Sequence, residues 1–262
     1  VRDATQPEPA DFQMDQYTQT PLGQHSYDTN GNLVAVSSPI GQTVYRYDYA
    51  GRLVQVDVDD GVGSLTTRAL YAYDALGRRI SKTSVGSGLP PTEYVYDDGV
   101  DDDCDGILEV RLGGGLNHKF VHIASTVSTH VRIDDGGTIR HYLCDDLDNV
   151  VALTDEAGNV VERYEYDDYG TPTFLAPDGR PLVDPVGTPL TASPEGNPFL
   201  FRGMQWDGET GLYLDQSRYF DPKTAQYASR DHRGGAIGQS RRTFANNNPW
   251  SASTGESGST RA

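Results

Sequence analysis

An Asp-x-x-Gly unit, preceded in most copies by Tyr, recurs along this chain and constrains its fold more than any other feature. The copies begin at Tyr27-Asp28, Tyr47-Asp48, Tyr73-Asp74, Thr154-Asp155 and Tyr166-Asp167. The Asp side chain can accept hydrogen bonds from backbone N–H groups beyond it, and the Gly tolerates the positive φ that a bulged hairpin turn requires. Each unit therefore predicts the turn of a β-hairpin.

The residues that flank these units alternate with a period of two. Residues 44–47 lead into one turn, residues 53–58 leave it, and residues 160–166 repeat the pattern. Such alternation is typical of strands with one dry and one wet face, whereas no long window has helical periodicity. The sequence predicts an all-β fold in which antiparallel hairpins form an open or spiralling sheet.

Composition narrows the class of protein. Only 36% of the residues are hydrophobic, while Tyr (16) and Gly (29) are abundant, which favours a thin β wall over a thick core. The net charge of −17 argues against nucleic-acid partners and anionic membranes. No stretch approaches the roughly 20 apolar residues of a transmembrane segment. Because the chain begins at Val1 without a signal peptide, we expect a piece of a longer protein whose targeting signal lies upstream.

Composition also divides the chain into segments. Prolines crowd the stretch after the last repeat and argue against a paired strand there. The predicted segments are an extended linker (1–16), repeats (17–97), an acidic and Gly-rich loop (98–119), repeats (120–170), a Pro-rich loop (171–198), a denser aromatic segment (199–231) and an irregular tail (232–262).

The repeats resemble the YD/Rhs-repeat family, whose motif runs Tyr-x-Tyr-Asp-x-x-Gly-Arg-Leu. Residues 45–53 match this motif throughout, and residues 71–79 match it nearly as well. Residues 139–150 look like another family stretch, from which Cys144 and Asp148 depart. The resemblance implies hairpins that wind into a hollow β-spiral, which holds a toxin in bacterial Rhs and Tc-type proteins and serves adhesion in teneurins.

The aromatic segment is similar to the Rhs repeat-associated core that closes such shells. The similarity runs in order through residues 197–203, 207–213 and 218–222. In the family this core ends in two Asp motifs that form an intramolecular protease pair. Here Asp231 keeps the first Asp, but no Asp stands where the second motif should follow. An aspartyl dyad needs two carboxylates. We therefore expect Asp231 to be a relic and the chain to lack enzymatic activity.

The acidic loop is a candidate calcium site. Asp101, Asp103 and Asp105 precede Gly106 as in the first half of an EF-hand loop, and Glu109 could supply a further ligand. The twelfth position, Leu112, lacks the usual Glu, so a solvated acidic loop is the alternative interpretation. A metal site from His118, His122, His141 and Cys144 is disfavoured because its spacing matches no zinc motif.

Three functions remain open at this point. The favoured one is a structural shell wall, encapsulating cocoon or fibre of a secreted or cell-surface bacterial protein. Its partners would be other parts of the same shell, neighbouring subunits, an enclosed toxin or a surface ligand. The alternatives are an extracellular adhesion or ligand-binding module and a toxin carrier with a degraded self-cleavage motif. The sequence leaves open whether Cys104 and Cys144 pair.

Overall fold

The computed structural model describes residues 16–59, 61–96, 106–122, 129–230, 242 and 244. Fifteen strands follow one another in chain order in a single antiparallel sheet. They are β1 (Gln19–Thr20), β2 (Gly23–Tyr27), β3 (Leu33–Ser38), β4 (Gly41–Tyr47), β5 (Leu53–Asp59), β6 (Thr66–Tyr73), β7 (Arg79–Ser84), β8 (Thr92–Tyr96), β9 (Ile107–Leu112), β10 (Gly115–His122), β11 (Thr129–Asp134), β12 (Ile139–Cys144), β13 (Val150–Thr154), β14 (Val160–Tyr166) and β15 (Pro172–Leu175).

A second sheet has four short antiparallel strands near the C-terminus. They are β16 (Gln205–Asp207), β17 (Leu212–Asp215), β18 (Arg218–Asp221) and β19 (Gln226–Tyr227), preceded by a 3-10 turn at Phe201–Gly203. The all-β architecture with a separate C-terminal core segment confirms the predicted fold class. No helix in the described ranges reaches the length and apolarity that crossing a membrane requires.

The repeated turns have the geometry that the sequence predicts. In the copy between β4 and β5, the Gly51 N–H donates to the Asp48 carbonyl at 3.0 Å, and Gly51 has a φ of 75°. The Asp48 carboxylate accepts from the N–H groups of Ala50 (2.9 Å) and Arg52 (3.0 Å). The turn at Asp145 is built the same way, with Asp148 in place of Gly at a φ of 62°. Asp is among the side chains that best tolerate this conformation, which explains the departure at that position.

In three copies of the repeat, the Tyr that precedes the Asp connects its hairpin to an earlier one. The Tyr47 hydroxyl donates to the Leu33 carbonyl at 2.9 Å, and the Tyr73 hydroxyl donates to the Leu53 carbonyl at 2.6 Å. Further along the sheet, Tyr166 donates to Val150 at 2.6 Å in the same way. The Tyr-Asp pair therefore joins successive hairpins as well as forming turns.

The predicted loop at 98–119 is wrong in its second half. Residues 107–112 and 115–122 form β9 and β10, which pair directly from Leu112 to Gly115. Gly113 and Gly114 have φ values of 58° and 82°. Two consecutive left-handed residues make the tight turn that matches the twist of a two-residue hairpin. The Gly-rich run is therefore a turn.

The predicted Pro-rich loop at 171–198 is wrong at its start. Pro172–Leu175 forms β15, which pairs with β14 in the register Tyr166↔Pro172. Pro172 is the first residue of the last strand in the sheet, a place where its missing N–H costs little. Beyond it the chain continues through isolated bridges at Leu175↔Pro181 and Val183↔Pro189.

Candidate functional site

The small sheet is buried on both of its faces. Leu212 and Leu214 point to one face and belong to a core cluster with side chains of β3 to β6. Tyr213 and Phe220 point to the other face and belong to a cluster with side chains of β8 to β15. Adjacent residues of one strand point to opposite faces. The long sheet therefore wraps around the small one, and their contact is the candidate functional site.

The two core clusters differ in character. On the β3–β6 side, the small sheet meets Leu33, Tyr45, Leu53, Val56, Ala69 and Tyr71. On the β8–β15 side, aromatic rings dominate, with Trp206 and Tyr213 centred 4.6 Å apart and Phe201 and Tyr213 centred 6.2 Å apart. Each buried side chain of this size stabilises the contact by about 1.5–3 kcal/mol.

A buried ion pair crosses the apolar contact between the sheets. Arg79 of β7 donates from Nη1 to Oδ2 of Asp207 in β16 at 2.5 Å, and both side chains are almost fully buried. The same guanidinium donates to the Gln205 amide oxygen at 2.9 Å and to the Tyr219 hydroxyl oxygen at 3.0 Å. Removing one member of such a pair leaves an uncompensated buried charge. The pair therefore fixes the position of β16 against β7.

Lys82 extends this cluster. Its Nζ lies 2.9 Å from Oδ1 of Asp207 and 3.2 Å from Oε1 of Glu209. Burial alone would raise the pKa of the Asp207 carboxyl, but the charges of Arg79 and Lys82 outweigh it and hold that pKa below its usual value. Burial would likewise lower the pKa of Lys82, but Asp207 dominates and raises it. Arg79, Lys82 and Asp207 are therefore all charged at neutral pH.

Backbone groups also hold the C-terminal segment along the hairpin turns. The Leu33 N–H donates to the Ala228 carbonyl at 2.8 Å, and the Val150 N–H donates to the Leu200 carbonyl at 3.1 Å. The Tyr213 hydroxyl donates to the Gly170 carbonyl at 2.7 Å. A Cβ at Gly170 would lie 2.5 Å from the Phe201 ring, so this turn Gly makes room for the segment.

Two residues near the C-terminus complete the contact. Arg242 is buried, donates to the Tyr227 carbonyl at 3.0 Å and lies over the Tyr27 ring at 4.7 Å. Phe244 packs on Phe220 with ring centroids 4.7 Å apart. The segment predicted as an irregular tail thus contributes at least these two side chains to the core.

Of the four predicted calcium ligands, the structure describes only Glu109. Asp101, Asp103 and Asp105 lie outside the described residues. Glu109 forms ion pairs with Arg111 at 2.8 Å and with Lys119 at 3.6 Å. The hydrogen bond from Arg111 lowers the pKa of Glu109. The calcium site therefore stays a prediction, and Glu109 already has two cationic neighbours.

The remaining predicted residues are dispersed or outside the described ranges. His118 is buried, with its Nδ1 3.4 Å from Oδ1 of Asp134, whereas His141 is exposed on β12. Cys144 carries a free thiol, and Cys104 lies outside the described residues. Within the part of the chain that the structure describes, no three metal-ligating side chains converge. Asp231 also lies outside, so the absence of self-cleavage stays a prediction that intact mass spectrometry of the longer protein can check.

Sequence reasoning missed the Arg79–Asp207 pair. The two residues are 128 positions apart, and neither stands out by type. One signal was present: Arg79 is a second arginine directly after Arg78, at the place where the repeat motif has Leu. A charged residue at an inward-facing strand position indicates a buried partner.

Comparison with known proteins identifies the repeats. The model of the RHS Repeat family matches residues 27–62. The tRNA(Glu)-specific nuclease WapA of Bacillus subtilis subsp. natto is 28% identical over 240 residues, which are 90% of this chain and 9% of that protein. The double-stranded DNA deaminase toxin A of Burkholderia cenocepacia is 28% identical over 79% of this chain and 15% of its own length. The toxin protein Tse5 of Pseudomonas aeruginosa is 26% identical over 86% of this chain and 18% of its own length.

Solved structures share the fold. A crystal structure of TcdB2-TccC3-Cdc42 superposes with a TM-score of 0.60 at 18% identity, covering 85% of this chain and 10% of that one. The Photorhabdus luminescens Tc holotoxin pore with a mutant TccC3 superposes with a TM-score of 0.56 at 16% identity, covering 90% of this chain and 14% of that one. This chain thus spans less than a fifth of the length of these relatives.

The structure has repeated Tyr-Asp hairpins and a long sheet that wraps around a C-terminal core segment. The similarities to known proteins agree with both features. Residues 27–62 match the RHS Repeat family, and the chain is similar in sequence to a part of several toxin proteins and shares the fold of the Tc toxin structures.

Proposed function

We propose that this chain is the closing wall of a hollow protein shell that encloses a toxic cargo carried by the same longer protein. The observation that carries the proposal is the small sheet buried on both faces by the long one. A segment held in this way closes the wall at its C-terminal end. The wall is structural, and any toxic activity belongs to other parts of the longer protein.

The relatives support a toxin carrier over a plain fibre or an adhesion module. Those described above are two nucleic-acid-modifying toxins or nucleases and one protein named only as a toxin. Since this chain matches a small part of each, the match supports a shared carrier and not a shared activity. A secreted or cell-surface location fits this role.

Limited proteolysis of the natural full-length protein tests the proposal. We expect the repeats and at least one non-repeat segment to stay protected at neutral pH, and Asp207→Asn to expose the non-repeat segment. Asp178→Asn is the matched control, because Asp178 pairs with Arg180 on the surface, where both side chains are more than half exposed. Encapsulation would be contradicted if every non-repeat segment were digested readily in the natural protein, at the same rate as in Asp207→Asn.

A further inference from the structure

A buried histidine faces a buried arginine where the C-terminal segment meets the first hairpin of the long sheet. His25 of β2 is 5% exposed, and its Nε2 is hydrogen-bonded to Thr20 Oγ1 at 2.9 Å. Tyr27 lies two residues further along the same strand and therefore on the same face. The Arg242 guanidinium is 1% exposed and lies over the Tyr27 ring, 4.7 Å from its centroid. Arg242 thus packs on the face of β2 that carries His25.

Arg242 also holds the edge of the small sheet. Its backbone carbonyl accepts from the Tyr227 N–H at 2.9 Å, and its guanidinium donates to the Tyr227 carbonyl at 3.0 Å. The carbonyl of the next residue, Ala228, accepts from the Leu33 N–H at the start of β3 at 2.8 Å. Arg242 therefore connects the first hairpin, through β2, to β19 of the small sheet.

The charges around this contact are mostly positive. Arg230 lies against the same hairpin, since a Cβ at Gly31 would be 2.5 Å from its Cδ. The Asp28 carboxylate accepts from the backbone N–H and the side-chain amide of Asn32, at 2.7 and 2.9 Å, and so is engaged in its own turn. Burial holds the pKa of Arg242 below its ordinary value. The other titratable groups around the contact are Tyr17, Tyr27, Tyr47 and Asp221.

Protonation of His25 adds a further positive charge to this buried contact. Burial, followed by the charge of Arg242, lowers the pKa of His25 from 6.5, so the imidazole is neutral at neutral pH. Because an undocked His25 binds the proton more readily, the docked contact is stable above pH 6.5 and weakens as the pH falls below it. Burial raises the pKa of Asp221, which acts with the opposite sign. A test must therefore compare proteins that differ only at His25.

We propose that His25 is an acid-sensitive latch. When neutral, His25 lets Arg242 dock on the first hairpin, and when protonated it repels Arg242 and releases it from β2 and β19, because like charges disfavour each other in a buried contact. The role of the latch rests on the proposed shell, since the contact belongs to the segment that closes the wall. Acidification thereby loosens the wall where its first hairpin meets that segment.

Hydrogen exchange of the full-length protein, followed by mass spectrometry, tests the latch. The reporters are the amides of Tyr227 and Leu33, which donate to the carbonyls of Arg242 and Ala228. After correction for the intrinsic effect of pH, we expect their protection to fall by about tenfold between pH 7.5 and 5, whereas His25→Gln should keep most of it. His141→Gln is the matched control, because His141 is exposed on β12 and its replacement should leave the response unchanged.

Exchange at the imidazole C2–H of His25 reports its titration in the natural protein. We expect a midpoint below 6.5, and one closer to 6.5 in Arg242→Met. The latch would be overturned by unchanged protection of the natural protein at pH 5, by an equal loss in His25→Gln, or by a midpoint that Arg242→Met does not move. If the latch fails while Asp207→Asn still exposes a non-repeat segment to protease, the encapsulating wall stands.

Discussion

At the scale of single residues, each position of the repeat motif has a physical task. The Arg after the turn Gly pairs with its own Asp, as Arg52 does with Asp48 at 2.7 Å, and lies over the Tyr of the next repeat, Tyr73, at 5.0 Å. The turn-forming roles of the motif Asp and Gly could be predicted from the sequence, whereas these contacts of Arg52 were not predicted. The ion pair of Arg79 and Asp207 could not be predicted, because only the tertiary fold brings the two together.

The Arg79–Asp207 pair predicts a large and coupled loss of stability. Arg79→Met or Asp207→Asn alone should lower the free energy of unfolding by about 3–5 kcal/mol, because each leaves a buried charge without its partner. The double variant should lose less than the sum. Chemical denaturation of all three measures this coupling. Arg180→Met is the control, since an exposed pair contributes at most about 1 kcal/mol. Additive losses would contradict the pair.

His118 predicts a dependence of stability on pH. Burial, followed by the charge of Arg132, lowers the pKa of His118 from 6.5 to about 4. The unfolded chain therefore binds the proton more readily, and stability present above pH 6.5 is lost as the pH falls towards 4. The expected loss is about 3 kcal/mol. Because carboxylates titrate in the same range, the measurement is the difference between the protein and His118→Gln. A difference that stays constant from pH 7 to 4 would refute it.

At the scale of elements, the sequence predicts strands and turns well and connections less well. The turn at Asp48 follows from its residue types. The Gly113-Gly114 turn and β15 could not be predicted in this way. A Gly- or Pro-rich stretch has the same composition in a loop as in a tight turn or an edge strand, and only the pairing of the strands distinguishes these structures.

The link between hairpins predicts a specific role for the motif Tyr. Tyr73→Phe removes the hydroxyl that donates to the Leu53 carbonyl at 2.6 Å, and should lower the free energy of unfolding by about 1 kcal/mol. Tyr49→Phe is the control, because Tyr49 is 98% exposed and should change nothing measurable. Equal effects on the melting temperature would show that the motif Tyr acts through its ring alone.

Calcium binding by the acidic loop remains a prediction. If Asp101, Asp103 and Asp105 bind Ca²⁺, calcium should raise the melting temperature by mass action. The gain should be small and need millimolar calcium, because Leu112 supplies no bidentate ligand and Glu109 is paired with Arg111. Sodium chloride at equal ionic strength controls for charge screening. Equal shifts with both salts, or a calcium shift that survives Asp103→Asn/Asp105→Asn, would exclude a specific site.

At the scale of the whole molecule, the wrapping of one sheet around the other could not be predicted from local pattern. The resemblance indicated a spiral wall and a closing core. The residues Leu212, Tyr213 and Leu214 are typical of a strand. That both faces of this strand are buried follows only from the packing of the two core clusters in the folded protein. Long-range packing of this kind depends on contacts that sequence periodicity does not encode.

Wrapping predicts that the two halves of the long sheet unfold together. Leu214→Ala should cost about 2–5 kcal/mol and Phe220→Ala about 3–5 kcal/mol, because each leaves a cavity in the buried contact. Leu214 faces β3–β6 and Phe220 faces β8–β15, yet each variant should lower amide-exchange protection in both halves, since the small sheet is the shared support. Leu76→Ala, at an exposed tip, is the control. Loss of protection confined to β3–β6 in Leu214→Ala would show that the halves are independent units.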